Sequence, residues 1–148
     1  MLGVPEETTM KRATLAILTL LLVGCTTHGR IGAMSEVPPN AAWIVVIRPS
    51  GFVGCGISLV VTVDGQEAYG LACGEHVVLI VPAGEHIFGV KHRTWFVADE
   101  STSAMTAAAG QRYYLRLAVQ NPVGGRPELD RITEQAARHL MAKTSLVK

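Results

Sequence analysis

The chain has 148 residues, with 13 basic and 12 acidic side chains and a formal net charge of +1. That length suits one domain plus a targeting segment. The balanced charge leaves no electrostatic footprint for nucleic acid or for an anionic membrane surface, and aromatics at 5% leave no evident stacking platform for single strands or sugars. Fifteen glycines and abundant Val suit strands joined by tight turns.

The first predicted element is an export segment. Lys11 and Arg12 precede an uncharged apolar run of 12 residues, 13–24. A membrane-spanning helix needs ~20 such residues, whereas twelve is the length of a signal-peptide apolar region. A buried core helix fits less well, because the run is apolar on all sides rather than on one face. The run ends in Leu22-Val23-Gly24-Cys25, which resembles the lipobox of bacterial lipoproteins. Small residues there fit a narrow peptidase groove, and the thiol takes the diacylglycerol. The expectation is a signal peptide over residues 1–24 and a lipidated Cys25 that carries palmitate and partners the membrane. Ordinary secretory cleavage nearby is the alternative. Glu6 and Glu7 offset Lys11 and Arg12, so a start at Met10 would give the usual positive N-terminus. Thr26, rather than Asp, follows Cys25. By resemblance to the sorting pattern of enteric lipoproteins, this implies the inner leaflet of the outer membrane, facing the periplasm.

Residues 25–40 read as a lipidated tether, polar and marked by Gly29, Gly32, Pro38 and Pro39. The domain is expected over residues 41–148. Residues 42–47 form a continuous apolar strand of a buried type, ended by Arg48-Pro49 because Pro cannot donate to a ladder. A second strand, 57–63, closes on Asp64-Gly65, a strong hairpin signal. Strands follow at 68–72 and 76–81. Pro82-Ala83-Gly84 then turns the chain back into 86–92 as a hairpin. Residues 101–108 and 111–120 are further strands. In the last of these Tyr113, Leu115, Leu117 and Val119 alternate with Arg112, Arg116 and Gln120, one face core and the other solvent. From Pro127 the period changes. Leu129, Ile132, Ala136, Leu140 and Met141 share one face, predicting an amphipathic helix over 127–143. Short, turn-punctuated strands predict an all-β, antiparallel β-sandwich with this C-terminal amphipathic helix over a sheet face or edge.

Several fragments share one pattern. They are Trp43-Ile44-Val45-Val46-Ile47-Arg48-Pro49-Ser50-Gly51-Phe52-Val53-Gly54, Val61-Thr62-Val63-Asp64-Gly65, Val81-Pro82-Ala83-Gly84-Glu85-His86 and Ala109-Gly110-Gln111-Arg112-Tyr113-Tyr114-Leu115-Arg116. Together, over residues 41–120, they resemble the DUF2846 family of bacterial envelope lipoproteins, whose function is unknown. The middle also looks like PEGA-type surface domains. The resemblance implies a transthyretin-like sandwich and brings no catalytic residue with it. Cys55 and Cys73 depart from the family pattern.

With Cys25 assigned to lipid, Cys55 and Cys73 remain for an oxidising compartment. They flank Asp64 symmetrically, so a hairpin there would set them nearly opposite. A disulfide and two buried free thiols are both open readings. Gly74-Glu75-His76 and Gly84-Glu85-His86 repeat a tripeptide. On one hairpin, His76 and His86 would lie at opposite ends, ~17 Å apart. Glu75, His76 and His92 would instead meet at the open end, as a possible metal or enzymatic site. His86 reads as a structural side chain near the turn. Glu85, His86, Asp99 and Glu100 are the other acid–base candidates. The glycine-rich stretch 51–56 lacks the Lys-Ser or Lys-Thr of a phosphate loop and reads as a bend. No nucleophile elbow or zinc-protease motif occurs. The expectation is therefore a non-catalytic module without cofactor or resident metal, binding an envelope protein or cell-wall partner. The alternatives are a small periplasmic enzyme or metal-binding protein using Glu75, His76 and His92, and an inhibitor of a periplasmic hydrolase presenting the loop 51–56.

Overall fold

The computed structural model describes residues 30–31, 38–51, 54–93, 100–120 and 125–147. The export segment, the possible start at Met10 and the lipid site Cys25 lie outside the described residues. In chain order the strands are β1 (Arg30–Ile31), β2 (Ala41–Arg48), β3 (Leu59–Val63), β4 (Gln66–Leu71), β5 (Glu75–Pro82), β6 (Gly84–His92), β7 (Ser101–Ala107), β8 (Arg112–Val119) and β9 (Pro127–Ile132). A helix, α1 (Glu134–Met141), and a short strand, β10 (Ser145–Leu146), complete them.

These strands form two sheets, one ordered β1-β5-β2-β8-β9 with β10 on the same edge of β5 as β1, the other ordered β4-β3-β6-β7. Strand β2 is buried at all eight positions because it is central and covered on both faces. Its Ala42, Ile44 and Val46 face the second sheet, packing with Leu59, Val61, Phe88, Val90, Leu115 and Leu117. Its Trp43, Val45 and Ile47 face the opposite way, with Val78, Tyr114 and Ala137 of α1. The helix therefore covers the outer face of the first sheet, across β2 and β8.

Three expectations are corrected. The sandwich is mixed rather than purely antiparallel: β2 pairs with β8 in parallel, as β10 does with β5. Residues 75–92 are not a hairpin, since β5 belongs to the first sheet and β6 to the second. The chain crosses between sheets at Ala83, where Gly84 adopts φ 146°, a backbone region that favours glycine. The solvent face expected for residues 111–120 is partly covered, with Tyr114 buried under the helix.

The helix expected over 127–143 is also shorter. Residues 127–132 form β9, antiparallel to β8, with Leu129 opposite Leu117 and Asp130 opposite Arg116. Their alternation satisfies a period of two as well as the helical stripe, and only the strand gives the backbone of β8 a partner on that side. Leu129 joins the core between the sheets while Ile132 packs beneath the helix. Thr133 then starts the helix, its Oγ1 accepting from the Ala136 N–H at 3.3 Å. Glu134 in the first turn, with Arg138 and His139 in the last, matches the helix dipole.

This boundary is testable. Thr133→Ala should cost about 1 kcal/mol in denaturant unfolding, the usual loss for an N-cap. In a helix running through residue 133 the same change would be neutral or stabilising.

Candidate functional site

Where the chain crosses between sheets, three polar groups close on one another. Asp64 and Gly65 hold positive φ, 52° and 77°, in the β3–β4 turn, which Asp and Gly tolerate best. That geometry aims the Asp64 carboxylate at β6. Its Oδ1 accepts from the Ile87 N–H at 2.9 Å, and its Oδ2 lies 2.8 Å from His86 Nδ1. His86 Nε2 lies 2.9 Å from the Pro82 carbonyl oxygen. Both ring nitrogens are thus taken up by acceptor oxygens, one of a carboxylate and one of a backbone carbonyl. Burial raises the Asp64 pKa, but hydrogen bonds from Ile87 and His86 and the charge of His86 outweigh it and hold the carboxyl below its ordinary value. His86, expected as a structural side chain, is bonded on both nitrogens and leaves neither free to take a substrate proton.

Glu75, His76 and His92 do not converge. His76 stands opposite Ile47, on the helix-covered face of the first sheet. Its Nδ1 lies 2.7 Å from Thr144 Oγ1, and burial lowers its pKa. His92 stands opposite Leu59 in the second sheet, on the face between the sheets. Its Nε2 is buried without a hydrogen-bond partner among the described residues. The first sheet itself separates the two imidazoles. The Glu75 carboxylate accepts from the Ala72 N–H at 2.8 Å. The shared site expected from a hairpin is thus undone by the sheet crossing. Among the described residues, no group of three or more His, Cys, Asp or Glu is placed to hold a metal ion.

The other end of the sandwich carries a disulfide between Cys55 and Cys73, with Cα atoms 5.2 Å apart. A bulge in the β3–β4 ladder between Val61 and Thr62 shifts the symmetric register that sequence spacing implies, and the turn from Gly54 to Ile57 brings Cys55 back to Cys73. Beneath the turn lies Arg48, only 2% exposed. Its guanidinium donates to the carbonyl oxygens of Leu71 at 2.5 Å and of Gly54 and Ile57 at 2.6 Å each. Burial lowers its pKa while the charge of Glu75 raises it.

The remaining acid–base candidates are dispersed. Glu85 borders an open cleft of about 460 Å³ with Asp64, His86, Ile87 and Met105. Glu100 accepts a hydrogen bond from the Thr62 hydroxyl on the outer face of the second sheet. Asp99, like Phe52 and Val53 of the glycine-rich stretch, lies outside the described residues. Two features were not singled out from sequence. One is the buried Arg48, whose signal was a charged residue ending a wholly apolar strand. The other is a pair of stacked arginines, Arg112 over Trp43 at 4.7 Å and Arg131 over Tyr113 at 4.9 Å. Comparison with family models, curated proteins and solved structures finds no match for this chain.

Asp64→Asn keeps the turn residue polar but removes the charge facing His86. It should cost about 1–3 kcal/mol near neutral pH, as hydrogen bonds to charged groups do. A depressed carboxyl pKa stabilises above the unfolded value of 3.8 and ceases to do so as pH falls through the folded one. The deficit of Asp64→Asn should therefore shrink as pH falls below 3.8 and vanish only below the depressed folded value, in urea titrations at stepped pH. At the other end, Arg48→Met removes the side-chain donor shared by three carbonyls and should cost about 2–4 kcal/mol. It should also speed reduction of the disulfide by dithiothreitol, followed by thiol counting.

Proposed function

We propose that this chain is an exported lipoprotein, held at the envelope membrane by lipid on Cys25. Its sandwich would serve as a non-catalytic binding or structural module for an envelope protein or cell-wall partner. In this reading the sandwich is of the transthyretin or PEGA type, and the chain is akin to the DUF2846 lipoproteins. The observation that carries the non-catalytic part is how the candidate groups are used. His86, Glu75 and Glu100 each hold strands or turns together, and His92 is buried between the sheets. Glu85 and His86 do border one cleft with Asp64, but there His86 and Asp64 are bonded to each other and to the backbone of Pro82 and Ile87, which leaves Glu85 without a partner for acid–base work.

A binding role has a physical basis in the sheet edges. Strands β7 and β9 end their respective sheets and lie side by side. An extended segment of a partner can add to such an edge through main-chain hydrogen bonds. Among the described residues, no helix is long and apolar enough to cross a membrane, and the anchoring assigned to Cys25 needs none. A second reading, an inhibitor of a periplasmic hydrolase, is favoured by one feature. The turn at 54–57 is locked by Arg48 and by the disulfide, and a rigid loop loses little entropy on binding.

Cys25→Ser decides the anchor. It should abolish palmitate labelling and release the domain from membranes into the soluble fraction. A variant still acylated and membrane-bound would overturn the lipoprotein reading. Cross-linking in the intact envelope should recover a reproducible partner, and recovery of none would count against a binding module.

A further inference from the structure

The tether expected over residues 25–40 is interrupted by β1, which pairs with the edge of β5: Arg30 opposite Ile80 and Ile31 opposite Leu79. Two consequences follow. Only four residues lie between Cys25 and Arg30, five backbone steps with a reach of at most about 17 Å. The direction of approach is also set. Because β1 is antiparallel to β5, the chain before Arg30 enters from the Pro82 end of β5. That end of the sandwich carries the start of β2, the start of β8, the sheet crossing and the Asp64-Gly65 turn. The opposite end carries Arg48, Gly74 and the disulfide.

Two arginines suited to phosphate stand toward this end: Arg112, in the Ile80 row with its Cζ 4.7 Å from the Trp43 ring centroid, and Arg131, based in the Val77 row with its Cζ reaching to 4.9 Å over the Tyr113 ring. Both border a groove of about 400 Å³ together with Thr133 and Glu134. Among the described residues neither arginine is in an ion pair, and the Glu134 carboxylate is taken by Arg138 at 2.6 Å. Other acids at this end are Asp64, engaged by His86, and the exposed Glu85 on the second sheet. The aromatic rings restrict where each guanidinium can sit before a ligand arrives, and planar guanidinium groups match phosphate oxygens. Arg112, Trp43, Ile80 and Arg30 occupy one row across the first sheet. Arg112 thus lies at the end from which the lipid-bearing chain enters, and Arg131 reaches toward it over Tyr113 to border the same groove.

We propose that the sandwich stands end-on at the membrane, Arg112 and Arg131 against lipid phosphates and the Cys55 to Cys73 disulfide pointing away. This rests on the lipid-anchor reading. Lipid holds the chain near the surface, β1 sets which end meets it, and the arginines hold that end down. The edges of β7 and β9 and the locked turn at 54–57 then stay clear of the bilayer for a partner.

The test uses the full chain, acylated in its host and placed in nanodiscs of phosphatidylcholine and phosphatidylglycerol carrying a gadolinium-chelating headgroup lipid. Mass spectrometry first reads the acyl content of Cys25, and its absence overturns the lipoprotein reading itself. In acylated protein, relaxation enhancement of backbone amides should be about tenfold or more stronger at Gly65, Ile87 and Gly110 than at Leu71 and Gly74. The two ends are about 23 Å apart along β5, and the effect falls steeply with distance. Equal enhancement at both ends, or stronger enhancement at Gly74, overturns the orientation alone. The double variant Arg112→Gln, Arg131→Gln should reduce the contrast between the ends at least about fivefold, the weight of one arginine at an anionic surface. An unchanged contrast overturns the phosphate contact. Should the variant fold poorly, the contrast in the unaltered chain still decides the orientation.

Discussion

Within the three residues between Val81 and Glu85 the chain leaves one sheet and enters the other, and the arrangement of both ends of the molecule depends on that crossing. A strand pair that stayed in one sheet would leave the second sheet without its central strand β6. The crossing leaves the Pro82 carbonyl at the rim of the core, where His86 meets it and joins it to Asp64 on the neighbouring turn. The β3–β4 turn and the crossing at 82–86 are thereby tied at one point, at a place where ladder bonds cannot continue from sheet to sheet. Buried polar contacts of this kind are strong only when every member is satisfied, and here both imidazole nitrogens and both carboxylate oxygens are engaged.

The opposite end solves a similar problem by different chemistry. The turn 54–57, with two glycines, meets the core by apolar contact only through Ile57. It is fastened by the disulfide and by a buried guanidinium bonded to three carbonyls. A buried charge is tolerable when its donors meet well-aligned acceptors. The carbonyls of Gly54, Ile57 and Leu71 in turn each gain a donor from it. The two ends therefore differ in chemistry as well as position: one is closed around a histidine, the other around an arginine and a sulfur bridge.

Covering both faces of β2 determines the rest of the architecture. The inner face meets the second sheet, and the outer face requires a lid, which α1 supplies through Ala137, Leu140 and Met141. An eight-residue helix is too short to be stable in isolation, so its persistence depends on that docking. The edge of β5 is covered by pieces from both ends of the chain, β1 along Leu79 and Ile80 and β10 along Glu75 and His76. This protects an otherwise open edge from unwanted pairing. It also places Arg30 and Ile31, within the stretch expected as a tether, against the body of the domain.

The sequence by itself determined the strands whose signal is local. Residues 42–47 are apolar without interruption because both faces are covered, and Asp64-Gly65 marks a turn because its backbone conformation is one few residue pairs accept. The split between β-rich body and C-terminal helix was legible for the same reason. Tertiary structure alone decided which strands share a sheet. Pro82-Ala83-Gly84 permits a hairpin or a crossing equally, and the choice rests on where the apolar faces of residues 77–81 and 86–90 find partners. That choice separated His76 from His92 and removed the site that sequence spacing had assembled. Residues 127–132 likewise fit two periods, and the unpaired side of β8 selected the strand. The pairing of β1 was invisible for a simpler reason: two residues carry no periodicity, and only the open edge of β5 gives them a place to bind.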